Sequence, residues 1–532
     1  MLLCTFLLVA ASVVADSFGP SEELARLRAP QIFNAVHNAM RQWGSSLHHN
    51  GMSFFLATVP KGVLLHHGNN SPLSPSEPEW LAYEIEHAEG FARSRRGQPG
   101  DGPGRKHDSM LDGTYRDISE VVDDANDGTY GYLHVYRTTR AMRYIYIDGM
   151  GAGKTSMGTL DSQDLILRSK AWLNDTEQGP WAPEQVGKEH PKTPPGGSGP
   201  KDEHQRAADL CELAQKWDLD GTIRMEAGFE IIQCDFSDGL EQVQALQRPD
   251  DSESGPSHRV FGGLEHLRGL AERYQGIGST RTIIDYSSMV SAFFFPVNLT
   301  NPDPKRQDLP RLNSDELDGL AGIKNYLENM IPERNGQLSR TVDWQDVTDM
   351  IVARYADRLK FMAEEVHTLE LMASEITFLT AVFIDNEDAG NKVQEIERCT
   401  YFYLRSVLPM TEADVLVKAA LETTTHRICK TLLKVRHLVV DDPEPNKESL
   451  EESMSAVKGL VKYLNWARFK RCPPCAINEV CLIPMWPFGT VEQYNRPRCS
   501  NGTDIHGGNS YWGHEPGRGP SGRINGVNDA EL

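Results

Sequence analysis

Positive charge is in short supply in this chain: 54 Lys and Arg stand against 75 Asp and Glu, a net charge of −21. A chain this acidic repels phosphate backbones and anionic lipid, so nucleic acid is not expected as a partner. Long apolar runs are scarce too. Residues 2–14 are too short to span a bilayer, and the apolar segment 369–384 is interrupted by Glu370 and Glu375, so it reads as a core helix. Only 9 of 532 residues are cysteine, which excludes a small disulfide scaffold; at roughly 150 residues per domain the length suggests three to four domains. Hydrophobic residues at 39% exclude wholesale disorder, although 45 Gly and 31 Pro leave some stretches without a core. No internal repeat is visible.

The run 2–14 ends in Val13-Val14-Ala15 before Asp16, small residues that suit a signal peptidase, so residues 1–15 read as a cleaved secretory signal. The expectation is a secreted, extracellular protein with no membrane attachment after cleavage. Cys4 leaves with the signal, and the remaining eight cysteines point to disulfides. Cys472, Cys475, Cys481 and Cys499 lie close together; two local disulfides are favoured over zinc, because no His sits at ligand spacing within the cluster. Cys211/Cys234 and Cys399/Cys429 pair naturally by proximity, which leaves connectivity open. Asn69, Asn174, Asn298 and Asn501 begin Asn-x-Ser/Thr sequons that mark surface positions for glycan, with Pro72 following the first.

Gly/Pro/charge-rich stretches at 94–109 and 178–204 read as insertions in the first half. Strands are predicted at 63–67, 79–82, 131–136, 143–148 and 228–234, where β-branched and aromatic residues concentrate, and a helix at 207–217. From about Asp343 the apolar spacing becomes helical, with Thr411/Asp414 and Ser449/Glu452 as capping-box-like starts. The expected organisation is α+β: a mixed domain over 16–245, a mainly helical domain over 255–470, a disulfide-rich segment at 471–500 and a disordered tail at 501–532.

Gly149-Met-Gly-Ala-Gly-Lys-Thr155 looks like a phosphate-binding loop, but the position that requires its first Gly is Asp148, so it reads as a tight turn after a strand. His66 and His67 point to opposite faces of one strand, and His48-His49 lacks a motif-placed acidic partner, so no metal is expected. Ser198 lies in a Gly/Pro linker without the strand-to-helix context of a nucleophile elbow.

One ordered set of pieces remains: Val63-Leu-Leu-His-His67-Gly68, Glu79-Trp80-Leu-Ala82, Ala88-Glu-Gly-Phe91-Ala92, the strands through Tyr136 and Asp148, a helix, Leu219-Asp220-Gly221-Thr-Ile-Arg224, and Glu230-Ile-Ile opening a last strand. This order resembles the ADP-ribosyltransferase-like fold of the His-Tyr-Glu kind over residues 60–236. By that resemblance His67 would hold the NAD ribose, and Trp80 or Phe91 would line the nicotinamide pocket, Trp80 standing where the family has Tyr. Glu230, with Glu226 as fallback, would stabilise the oxocarbenium-like transition state. The implied activity is NAD-dependent ADP-ribosyl transfer to an unknown protein target, or NAD glycohydrolysis, with NAD as substrate.

Segments such as Arg41-Gln-Trp-Gly-Ser-Ser46, Glu79 through Ala88, Arg224-Met-Glu-Ala-Gly-Phe-Glu230 and Trp486-Pro-Phe-Gly489 also resemble uncharacterised secreted proteins of filamentous fungi. The alternative to an enzyme is a non-catalytic interaction protein that uses the same fold as a scaffold and contacts a partner through its helical half. A hydrolase whose acid–base carboxylates carry no local motif is a third class.

Overall fold

Short runs rich in Val, Ile, Phe and Tyr build the centre of the molecule. The computed structural model describes residues 18–92, 95–96, 128–168, 200–248, 264–273, 281–334, 341–385, 387, 391–501 and 511–512. The signal segment, Cys4, Asn174, Ser198 and most of both insertions lie outside them.

Three helices open the chain: α1 (Glu22–Leu27), α2 (Ala29–Asn38) and α3 (Gln42–Leu47). Nine strands then form one sheet: β1 (Ser53–Val59), β2 (Leu64–Asn69), β3 (Glu79–Ala82), β4 (Tyr132–Thr138), β5 (Met142–Ile147), β6 (Gly221–Met225), β7 (Phe229–Gln233), β8 (Leu240–Gln247) and β9 (Ile283–Ser291). Their order is β8-β4-β2-β3-β7-β6-β5-β1-β9, antiparallel except for the β5–β6 pair. Helix α4 (Ile85–Glu89) follows β3, and α5 (Pro200–Lys216) precedes β6. The later helices are α6 (Leu264–Arg268), α7 (Leu317–Arg334), α8 (Trp344–Glu364), α9 (Leu369–Thr380), α10 (Lys392–Thr400), α11 (Glu412–Arg436), α12 (Lys447–Leu464) and α13 (Val491–Asn495).

The architecture is therefore α+β, a large mixed sheet with many helices. Its two halves are less separate than the expected boundary at 245–255 implies. β9 comes from the stretch expected to be helical yet pairs with β1 along the sheet edge, and α1 and α2 pack on α11. One apolar core runs from Ala25 through Phe55, Tyr146 and Ile231 to Leu359, Leu432 and Trp512. Thr411 and Asp414 make the capping box at the start of α11. At α12 the cap is Asn446, with Ser449 as its reciprocal partner one turn in, rather than Ser449 with Glu452.

The eight cysteines form four disulfides. Cys211–Cys234 joins α5 to the end of β7, and Cys399–Cys429 joins α10 to α11. Cys472–Cys481 and Cys475–Cys499 staple the small ladder between 480–482 and 498–500. Among the described residues, the one group of three ligand-type side chains within reach of a common ion is Cys472, Cys475 and Cys499, whose sulfurs are all in disulfides. No described helix is long and apolar enough to cross a membrane. Within the expected disordered tail, Tyr511 and Trp512 are buried. His49 Nε2 lies 2.9 Å from the Tyr511 hydroxyl, and Trp512 donates its indole N–H to the Phe488 carbonyl at 2.9 Å. The tail expectation overlooked two aromatic residues whose large apolar surface favours docking.

Candidate functional site

Residues directly opposed in a ladder share a face of the sheet. His66 opposes Ala82, Ala82 opposes Glu230, and Glu230 opposes Arg224, so Trp80, Ala82, Glu230 and Arg224 lie on one face. His67 opposes His134 and lies on the other.

The Glu230 face holds a buried charge cluster. β6 and β7 are joined by the turn 226–228, closed by the Glu226 N–H donating to the Gly228 carbonyl at 2.9 Å. Gly228 is required there by space: a Cβ would lie 2.7 Å from His87 Nδ1. Arg224, completely buried, donates Nε to Glu230 Oε1 at 2.7 Å, Nη1 to Gln163 Oε1 at 2.8 Å, and Nη2 to Glu203 on α5. Lys154, from the turn that looks like a phosphate loop, donates to Glu226 Oε2 at 2.7 Å and lies 5.0 Å from the centre of the Trp486 ring. That lysine is turned onto a carboxylate rather than held out for phosphate. The turn's opening Gly149 has φ +65° and sits where a Cβ would meet the Gly51 backbone nitrogen at 2.4 Å, so a glycine is needed on both counts.

From α4, His87 brings Nε2 to 3.9 Å from Glu230 Oε2 and stacks on Phe91 with ring centres 5.8 Å apart. Gly68 on β2 permits this approach, since a Cβ there would lie 2.2 Å from the Ala88 carbonyl oxygen. Glu84, one turn before His87, is fully buried; its Oε1 lies 3.5 Å from the Phe229 N–H, and its Oε2 has no hydrogen-bond partner among the described residues.

Burial separates these acids. It pushes the Glu84 carboxyl up to about 8. It also raises Glu230 above the usual carboxylate range, because one shared Arg224 contact does not offset desolvation and the nearby charge of Glu226. Glu203 goes the other way: burial opposes its charge, but Arg224, Lys154 and Arg206 outweigh it and hold the carboxyl far below the usual range. Burial likewise opposes the Lys154 charge, and Glu226, Glu203 and Glu230 overcome it. Burial keeps His87 neutral against the pull of Glu230.

Of the expected site residues, the structure gathers Glu230 and Phe91 around His87, while the fallback Glu226 turns to Lys154. Trp80 shares their face, but its ring packs edge-on against His204 of α5 at 5.2 Å. His67 is excluded: it is 2% exposed, places Nδ1 2.7 Å from the Trp80 carbonyl, and packs against His134 and Phe236, with burial lowering its pKa to about 4. The sheet stands between His67 and Glu230, so they cannot grip one ligand as the resemblance implies. His87, Glu84, Arg224, Glu203 and Lys154 were not foreseen. A usable signal was present, since Arg224 and Glu230 interrupt apolar strands and a charge inside such a run must be paired when buried.

Residues 22–255 match the family model described as the YPL277C N-terminal domain. "Uncharacterized protein YPL277C" of Saccharomyces cerevisiae is 31% identical over 416 residues, covering 66% of this chain and 79% of that protein. "Uncharacterized protein YOR389W" of the same yeast is 26% identical over 545 residues, covering 87% of this chain and 82% of that protein. The chain belongs to this family of yeast proteins. Neither relative bears on a filamentous-fungal source or on an ADP-ribosyltransferase likeness. No solved structure matches the chain.

Proposed function

We propose that the chain is an enzyme that cleaves glycosidic bonds, with Glu230 as its acid and Glu226 as the carboxylate facing positive charge. The observation that carries this reading is the contrast within one hairpin. Glu230 is a buried carboxyl biased toward its protonated form, while Glu226, four residues earlier, is salt-bridged to Lys154. A carboxyl raised by burial beside one paired with a lysine supplies the two roles that departure of a leaving group from an anomeric carbon uses, one to give a proton and one to stabilise the oxocarbenium ion. With an O-glycoside, the Glu230 proton moves to the leaving oxygen as the bond from the anomeric carbon breaks, water adds to that carbon, and the proton that water gives up returns to Glu230. With NAD, nicotinamide leaves without a proton, water adds to the ribosyl carbon and gives its proton to solvent, and the electrostatic role of Glu226 carries the reaction. We also propose that the protein works in or beyond the secretory pathway, a reading supported by its four disulfides, the segment 1–15 and the exposed side chains of Asn298 and Asn501, each the first residue of a sequon.

The test is turnover of a panel of neutral O-glycosides and of NAD by the full chain. Glu230→Gln keeps the oxygen that accepts from Arg224 and removes the proton. For an O-glycoside it is expected to lower kcat by about 10²–10⁴-fold with an unchanged melting temperature, whereas for NAD the loss follows Glu226→Gln. No turnover across the panel, or full activity in both variants, overturns the proposal. A second reading, a non-catalytic interaction protein, draws on the apolar side chains that the helical half leaves in solvent: Phe378, Val382, Val393 and Leu408 are each more than 60% exposed. In that reading neither substitution changes any binding property.

A further inference from the structure

A second polar site lies away from Glu230, between α2, α3, the turn after β5 and the end of α12. It is a pocket of about 180 Å³ whose wall is rich in side-chain amides, with Asn34, Asn38, Asn50, His48, Asp148 and Tyr463 among its residues. Asn34 is 4% exposed and its orientation is fixed: Nδ2 donates to the Leu464 carbonyl at 3.0 Å and faces the Asn465 carbonyl at 3.5 Å. Its Oδ1 is therefore a buried acceptor, and it has no partner among the described residues. A buried acceptor left unmatched costs about 1–3 kcal/mol, which a ligand hydroxyl would recover. His48 is held neutral by burial, with Nδ1 2.9 Å from Asn38 Nδ2. Asp148 anchors the floor by accepting from the Ser53 N–H at 2.8 Å.

The lining selects against charge. Asp308 and Lys462 put one group of each sign in the lining, so neither an anion nor a cation meets a one-signed wall, burial pushes the Asp148 carboxyl up to about 7, and among the described residues no trio of His, Cys, Asp or Glu suited to a cation occurs here. The volume falls below the roughly 300–1,000 Å³ of pockets that enclose drug-sized ligands. The amide nitrogens of Asn34, Asn38 and Asn50 are held by protein partners, which fixes the orientation of the wall and leaves the Asn34 oxygen as the unmatched acceptor, a group that suits a hydroxyl donor. We propose that this pocket binds a neutral, hydroxyl-rich ligand of the size of one sugar unit, seated by a hydroxyl on Asn34 Oδ1. The site is distinct from the Glu230 cluster and does not depend on what that cluster catalyses.

The test is calorimetric titration of the full chain with neutral monosaccharides and, as comparison, sugar phosphates. Ala35 lines the pocket on a helix and makes no side-chain hydrogen bond, so Ala35→Leu fills the space without removing one. Saturable binding of a neutral sugar, weakened at least about tenfold by Ala35→Leu with the melting temperature kept, is the expected result. Absence of binding at millimolar sugar, preference for the phosphates, or equal affinity in Ala35→Leu overturns the proposal. Glu230→Gln, titrated alongside, is expected to bind as the parent does, which separates this site from the proposed reaction centre.

Discussion

Glu84 makes a sharp thermodynamic prediction, because its carboxyl is buried beside His87 and Gly228 with one oxygen unpartnered. In the unfolded chain it ionises near 4.5, and in the folded protein near 8. Below pH 4.5 both states are protonated and the carboxyl adds no pH dependence. Between 4.5 and 8 folding takes up a proton, so stability falls as pH rises, and above 8 the loss is complete. At about 1.4 kcal/mol per pH unit, the interval from 4.5 to about 8 has a ceiling of about 5 kcal/mol. Glu84→Gln removes this dependence. The new amide nitrogen puts two unpartnered buried donors where the neutral carboxyl has one, a pH-independent extra cost of about 1–3 kcal/mol. The variant should therefore be less stable than the parent at pH 5 and more stable at pH 8.5, with the two curves crossing between. Urea unfolding of both proteins at half-unit pH intervals measures this. Curves that stay parallel, or a variant that loses ground as pH rises, would refute the assignment of Glu84 as a neutral carboxyl.

Two further substitutions probe what holds the site and the tail. Arg224→Met leaves Glu203 and Glu230 buried without their guanidinium and should destabilise by about 3–5 kcal/mol, whereas adding Glu203→Leu should recover part of the loss; denaturant titration of the pair distinguishes a paired charge from a dispensable one. Trp512→Ala deletes a buried indole that contacts His49 and hydrogen-bonds Phe488, and should cost about 3–5 kcal/mol by the same measurement, while a truly disordered tail would show no change.

How far the sequence could be read depended on whether a feature was local. β2, β3, β4, β5 and β7 follow from runs of β-branched and aromatic residues, and the α11 cap follows from Thr411 and Asp414 at their required spacing. β9 is missed when Ile-Ile-Asp-Tyr-Ser-Ser-Met-Val-Ser is grouped with the rest of 255–470 as a helical domain, although the helical spacing begins only near Asp343 and this run pairs with the distant β1. Glu230 was legible as a candidate, but its true neighbours were not. His87, Lys154 and Glu203 come from three separate elements, and their convergence is set by sheet order. The placement of His67 failed for a simple reason: the period of two along a strand assigns His66, not His67, to the Glu230 face, and the one bridge that decides this, His66 to Ala82, joins β2 to β3 through tertiary packing.

The most direct measurement compares glycoside and NAD turnover by the parent, Glu230→Gln, Glu226→Gln and His67→Gln. A reaction centre on the Glu230 face predicts that His67→Gln, a neutral replacement across the sheet, stays active, while loss of turnover follows Glu230 or Glu226. Abolished turnover in a folded His67→Gln, with both glutamate variants intact, would contradict it.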